Sequence, residues 1–165
     1  MKILIVDDSH FVCDILSKTL DEFGECHCAH DGKQAVRLFQ EGLESGAPFA
    51  LVLMDILMPH MDGHAALQQI RSLEETAGSE AADVVMITGV DEDIDMMDSF
   101  ARHNARAYVV KPVTRNKVLG ELQKAGLLCE GDGGRLRYCA RGECCGLDEL
   151  DALIKDMDSR GVLDD

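Results

Sequence analysis

Four short runs of contiguous apolar residues, at positions 3–6, 50–54, 84–87 and 107–110, constrain this chain more than any other feature. A strand with one wet face alternates apolar and polar residues, so the unbroken runs ILIV, ALVLM, VVMI and AYVV call for strands covered on both faces. Between them, apolar residues recur at helical spacing: Phe11, Ile15, Leu16, Leu20 and Phe23; then Ala35, Val36, Leu38 and Phe39; then Ala66, Leu67, Ile70 and Leu73; then Ile94, Met97 and Ala101. A weaker strand at 25–29 fits between the first two helices. A last helix is expected over about 115–125, opened by Thr114 as N-cap and stopped at Gly126. Five strand-helix units result. Such alternation predicts a parallel α/β sheet with right-handed crossovers and helices on both faces. In sheets of that kind the functional site lies beyond the carboxyl ends of the strands.

Composition narrows the function classes. At 165 residues the chain can bury about two-thirds of its unfolded surface, enough for a self-standing core. No apolar run approaches the roughly 18 residues of a membrane helix, so no membrane span is expected. The start, MKILIVDDS, has a short apolar run ended by two aspartates and no small-residue cleavage site, which predicts a cytoplasmic protein. Thirty-one acidic against sixteen basic residues give a net charge of -15, which repels phosphate backbones and argues against nucleic-acid binding. The seven cysteines form no framework, and most read as small buried hydrophobes in a reducing compartment.

The chain divides at about residue 126. A sheet domain is expected over 1–126 and a C-terminal extension over 127–165, with Gly131, Gly133 and Gly134 as a flexible joint. A Cys/Arg segment follows, and Leu147, Leu150, Leu153, Ile154 and Met157 mark one amphipathic helix at about 147–158. The extension is too small for a DNA-binding output domain, and its ten acidic against five basic residues oppose that role too. A helix of about three turns is unstable alone in water and must bury its apolar stripe. It can do so on its own domain or on a second copy, and the second reading, a homodimer, is preferred because Arg135, Arg137 and Arg141 suit an acidic neighbour. Cys129, Cys139, Cys144 and Cys145 have the number of a zinc site but no C-x-x-C pair, and they read as surface or packed thiols.

Polar residues stand where the site should be. The first strand runs into Asp7 and Asp8, the third into Asp55, the fourth into Thr88, and the fifth into Lys111 and Pro112. Each alone reads as ordinary turn or capping chemistry. Together they gather three carboxylates, which requires a shared proton or a hard divalent cation. Magnesium suits such a set, and its usual coordination by one or two carboxylates plus a phosphate oxygen implies a phosphoryl group. His10, close to the acid pair, reads as a solvated residue of the first helical turn.

These pieces resemble the receiver domains of two-component response regulators, most closely the single-domain chemotaxis type: VDDS at 6–9, LVLMDILMPHMDG at 51–63, MITG at 86–89 and AYVVKP at 107–112. The resemblance covers residues 2 to about 125. It implies a flavodoxin-like doubly wound sheet of five parallel strands in the order 2-1-3-4-5, with five helices. It further implies that Asp55 accepts a phosphoryl group from a histidine kinase or a histidine phosphotransfer protein. Asp8, Asp55 and the backbone carbonyl of Leu57 would hold Mg2+, with Asp7 acting through a metal-bound water. Lys111 would pair with the phosphoryl oxygens, and its bond to Pro112 would be cis. Thr88 and Tyr108 would switch together and remodel a surface for a downstream protein partner, which the sequence does not identify. Such a chain is a signalling switch rather than a metabolic enzyme, with self-catalysed phosphorylation and slow loss of the phosphoryl group. Two alternatives stand beside it. One is a phosphohydrolase of haloacid-dehalogenase type, which needs its nucleophile two residues from a second Asp, whereas Asp7 and Asp8 are adjacent. The other is a receiver carrying a metal or redox sensor in its extension.

Overall fold

The computed structural model describes residues 1–89 and 104–139. The chain resolves into two compact units, Met1–Ala125 and Gly126–Asp165. The first contains β1 (Lys2–Val6), α1 (His10–Leu20), β2 (Glu25–Ala29), α2 (Gly32–Glu44), β3 (Phe49–Asp55), α3 (Gly63–Ala77), β4 (Asp83–Thr88), β5 (Ala107–Val110) and α4 (Arg115–Lys124). All five strands pair in parallel, in the order β2-β1-β3-β4-β5. This is the flavodoxin-like sheet expected. Four of its helices are described, while the expected helix through Ile94, Met97 and Ala101 lies outside the described residues.

The unbroken apolar runs become the inner strands because both faces are covered. Ile3 to Val6, Leu51 to Met54 and Val84 to Ile87 are all buried. Each fully buried branched side chain contributes about 2 kcal/mol relative to exposure. Strand β2 has the weakest pattern because it is one of the two edge strands, and on it half-buried Cys26, His27 and Cys28 replace the branched residues. One core reading is corrected: Phe11 does not join the stripe of α1 and stands 72% exposed. The buried face of that helix is Cys13, Leu16, Thr19 and Leu20, a rotation that puts Phe11 at the solvent side of the first turn.

Local chemistry fixes where the helices start. Asp31 caps α2 by accepting from the Gln34 amide at 2.7 Å, while the Gln34 side chain accepts from the His30 amide at 2.7 Å. Asp62 caps α3 through the Ala65 amide, and Thr114 caps α4 through the Lys117 amide as expected. Gly126, just past the last helix, has φ of 70°, the left-handed backbone that favours glycine at a helix end. The far end of α3 is pinned by a buried ion pair. Arg71 donates to Glu74 at 2.7 Å and to the carbonyls of Ala82 and Asn104, and Glu74 accepts from the Ala82 amide, tying α3 to the chain just before β4 and β5.

In the second unit, β6 (Leu128–Glu130) and β7 (Leu136–Tyr138) pair antiparallel. The glycine cluster expected to be a flexible joint is the turn of this hairpin, with Gly133 and Gly134 at φ of 79° and 74°. Positive φ in a tight turn is what calls for glycine there. Cys129 and Cys139 form a disulfide across the hairpin, so they are neither free surface thiols nor ligands for a zinc ion. Cys144, Cys145 and the expected helix at about 147–158 lie outside the described residues.

Candidate functional site

Parallel register brings the carboxyl ends of the strands to one edge. Val6 stands beside Met54, Asp55 beside Ile87, and Thr88 beside Val110, so the residues that follow each strand converge. Asp7, Asp8 and Asp55 each place a carboxylate oxygen so that all three lie within 4.8 Å of one another. Asp7 and Asp55 are buried and Asp8 is exposed, which makes a pocket with two fixed acids and one at its mouth.

Lys111 closes the pocket from the β5 side. Its ammonium lies 2.8 Å from Asp55 Oδ2 and 3.2 Å from Asp7 Oδ2. Its main chain is anchored where the Lys111 amide donates to the Thr88 carbonyl at 2.7 Å, and the Lys111–Pro112 bond is cis, as expected. Burial works to lower the lysine's pKa, yet the hydrogen bond and charge of Asp55, aided by Asp7, outweigh it and hold the ammonium above its usual value. Burial pushes the Asp55 carboxyl above its ordinary range. Lys111 and the Leu57 amide pull against that shift, and the negative charge of Asp7 adds to it.

One ammonium therefore faces three carboxylates. Asp7 Oδ1 accepts from the Ser9 amide at 2.8 Å, and its buried Oδ2 meets only the Lys111 ammonium, at 3.2 Å, which it shares with Asp55. Three carboxylates sharing one ammonium leave a net negative charge in the pocket, and that excess fits a hydrated divalent cation. The donor set is all oxygen, which suits Mg2+ over softer metals.

Each expected site residue can now be placed. Asp7, Asp8, Asp55 and Lys111 come together. Thr88 is buried at the end of β4, one register position from the acid cluster. Tyr108 is half-buried on β5 and packs against the core. Leu57 lies in the loop after β3, 67% exposed, with its amide on Asp55. His10 stays exposed, its ring against that of His30 with centroids 3.9 Å apart.

Two residues that shape the pocket, Ser9 and Gly63, stand within the quoted motifs without a role assigned there. The Asp7-x-Ser9 turn was legible as an Asx pattern, since an Asp side chain commonly accepts from the amide two residues on. Gly63 had no such signal. A Cβ there would overlap the Asp55 carbonyl oxygen and press on the Ile56 backbone, and the Gly63 amide donates to the Ile56 carbonyl at 2.9 Å. Only glycine lets α3 begin that close to the backbone that follows β3.

The family described as the response regulator receiver domain matches residues 3–123. Among solved structures, the chain is similar to the CheY of a CheX-CheY-BeF3-Mg+2 complex from Borrelia burgdorferi, at 29% identity and a TM-score of 0.61, covering 75% of this chain and 87% of that one. It is similar to the Vibrio cholerae chemotaxis protein CheY4, at 26% identity and a TM-score of 0.58, covering 75% and 97%. A third is the response regulator protein TrrA from Thermotoga maritima in complex with Mg(2+)-BeF, at 25% identity and a TM-score of 0.59, again covering 75% and 97%. No helix among the described residues is long and apolar enough to cross a membrane.

Proposed function

Because the chain belongs to the response regulator receiver family of two-component signalling, we propose that Asp55 is its phosphoacceptor, taking the group from a histidine kinase or a histidine phosphotransfer protein. One observation carries the assignment: Asp55 is the buried strand-end carboxylate that has both an ammonium at 2.8 Å and two further acids at cation-binding distance. Membership in this family disfavours the phosphohydrolase alternative, and the disulfide of Cys129 with Cys139 removes two of the thiols that the metal-binding form of the sensor alternative needs, though not its redox form.

Asp8, Asp55 and the Leu57 carbonyl would hold Mg2+, with Asp7 reaching it through water. When bound, the cation supplies positive charge for the equatorial oxygens of a loose phosphoryl transition state. The chain's own residues do the rest. Lys111 brings a second positive charge to the same oxygens and is prevented from swinging away by its main-chain anchor on Thr88. The Leu57 amide and Lys111 hold the Asp55 carboxylate in one orientation, so an oxygen is presented outward for attack. Burial of Asp55 strips its hydration, which leaves the carboxylate oxygen with less solvent to shed when it attacks phosphorus, while the charge that the phosphoryl group adds has to be met by Lys111 and the cation.

Once phosphorylated, Asp55 offers new acceptor oxygens. The Thr88 hydroxyl turns toward them, and Tyr108, next along the sheet, follows into the space behind it. The output is a changed surface read by a protein partner, and the chain acts as a switch rather than a turnover enzyme.

Acetyl phosphate or phosphoramidate with Mg2+ should add one phosphoryl group to the wild-type chain, read as intact mass. Asp55→Asn should gain none. An equal gain in both chains places the acceptor elsewhere and overturns the proposal.

A further inference from the structure

Behind the acidic pocket, one main-chain oxygen gathers two side-chain donors. The Asp7 amide extends the pairing of β1 with β2 by one step, donating to the Ala29 carbonyl at 3.1 Å just past the last register pair, Val6 with Ala29. The Asp7 carbonyl lies beyond that ladder and is met by side chains. Cys13 Sγ donates to it at 3.4 Å, and His30 Nδ1 stands 3.2 Å from it. The two donor atoms, 3.8 Å apart, come from different elements, Cys13 from the buried face of α1 and His30 from the turn between β2 and α2.

A carbonyl only accepts, so the imidazole carries a proton on Nδ1. Burial pushes the Cys13 thiol above its usual pKa, so it stays protonated and donates. A thiol is nonetheless a weak donor, which leaves the imidazole as the main tie. His30 is itself held in place. Its amide donates to Gln34 Oε1 at 2.7 Å, and its ring rests against that of His10 with centroids 3.9 Å apart. The donor is therefore ordered before any cation arrives.

The oxygen it holds belongs to the peptide unit that joins Asp7 to Asp8. That unit is planar, so fixing its oxygen also fixes the direction in which the chain reaches the Asp8 Cα. The Asp7 side chain has its own anchors, the Ser9 amide and the Lys111 ammonium. The Asp8 carboxylate is exposed at the mouth of the pocket, and its direction is set by its main chain.

We propose that His30 is a positioning residue for the cation pocket: its Nδ1–H holds the peptide plane between Asp7 and Asp8 so that both carboxylates face one divalent cation. The proposal rests on the reading of Asp7, Asp8 and Asp55 as a Mg2+ site. His30 acts through the main chain, as hydrogen-bond partners behind metal-binding groups do, and Cys13 supports the same oxygen from α1. Loss of one such hydrogen bond corresponds to Mg2+ binding weakened roughly three- to tenfold.

The full chain and its variants are titrated with Mg2+ by calorimetry in mildly alkaline buffer, where an ordinary imidazole is neutral. His30→Leu removes the donor. His30→Asn offers an amide N–H the same number of bonds from Cβ as Nδ1, while His30→Gln places it one bond further out. Binding should weaken roughly three- to tenfold in His30→Leu and His30→Gln and return to within about twofold of wild type in His30→Asn. Thermal melts without Mg2+ establish that each variant is folded, and should His30→Leu fail to fold, His30→Gln against His30→Asn carries the same comparison. With phosphoramidate as donor, the half-saturating Mg2+ concentration should rise in the weakened variants while the rate at saturating Mg2+ stays within about twofold of wild type.

Unchanged Mg2+ affinity in both His30→Leu and His30→Gln overturns the role. Equal losses in His30→Asn and His30→Gln overturn it too, since the bulk of the ring and not its donor would then be responsible. A fall in the saturated rate with Mg2+ affinity intact places His30 in the chemistry itself and overturns positioning as well. Asp8→Ala is the reference for the pocket. If it binds Mg2+ as tightly as wild type, or if wild type binds none, the reading of the cation site fails and takes this role with it. Weakened binding in Asp8→Ala beside unchanged binding in the His30 variants removes only the role of His30.

Discussion

Asp55 is a group held against its own preference, and that has a measurable consequence. Its carboxyl pKa is raised chiefly by burial, so in the folded chain the ionised form is penalised relative to the unfolded chain. The penalty is full above the folded pKa and is released as pH falls through it. Asp55→Asn should therefore be more stable than wild type at neutral pH, because the burial penalty on the anion is gone and Asp7 remains to pair with Lys111. Thermal melts of the two chains, without Mg2+, should show that gap narrowing as the buffer is made acidic. A gap that widens with acid would mean that Lys111 outweighs burial and that the carboxylate is stabilised. Lys111 has the opposite sense: its raised pKa gives stability that is present at neutral pH and is lost only in strong alkali, as pH rises through its folded value.

Among elements, two glycines in helices make opposite predictions. Gly63 opens α3 where a side chain has no room, with the Asp55 carbonyl and the Ile56 backbone against it. Backbone cannot swing aside as a long side chain can, so Gly63→Ala should cost about 2 kcal/mol or more and slow phosphorylation by shifting the loop that carries Leu57. Gly120 sits inside α4 with open space around it and no positive φ. Gly120→Ala should stabilise the chain by about 0.5–1 kcal/mol, since it removes only the entropy of an unconstrained residue. Denaturant melts read both. Equal effects of the two substitutions would show that helix propensity alone, and not the close approach at Gly63, governs these positions.

For the whole molecule, the unit Met1–Ala125 holds the complete parallel sheet and every proposed site residue. Truncation after Ala125 should leave a chain that melts cooperatively and still gains a phosphoryl group on Asp55. The same truncation tests a dimer made through the extension: sedimentation of the full chain as a dimer and of the truncated chain as a monomer supports it, while a monomeric full chain at micromolar concentration removes the idea. With 31 acidic and 16 basic residues, the net charge of -15 favours basic partners and makes any such association salt-dependent.

Sequence alone determined the sheet and its site because both depend on short-range pattern. Unbroken runs such as ILIV and VVMI can only be covered strands, Thr114 and Gly126 bound a helix by local hydrogen bonding and backbone freedom, and the parallel topology then obliges Asp7, Asp55, Thr88 and Lys111 to share one edge. What lies across elements was not legible. The outward turn of Phe11, the contact of Gly63 with Asp55, the pairing of Cys129 with Cys139 and the contact of Ser17 with Cys28 each depend on which faces meet. Periodicity gives a helix an apolar stripe but not its rotation to within a residue, and a glycine in sequence carries no sign of the backbone that will approach it. Those choices belong to packing, where a few ångströms of separation between residues distant in the chain decide the chemistry.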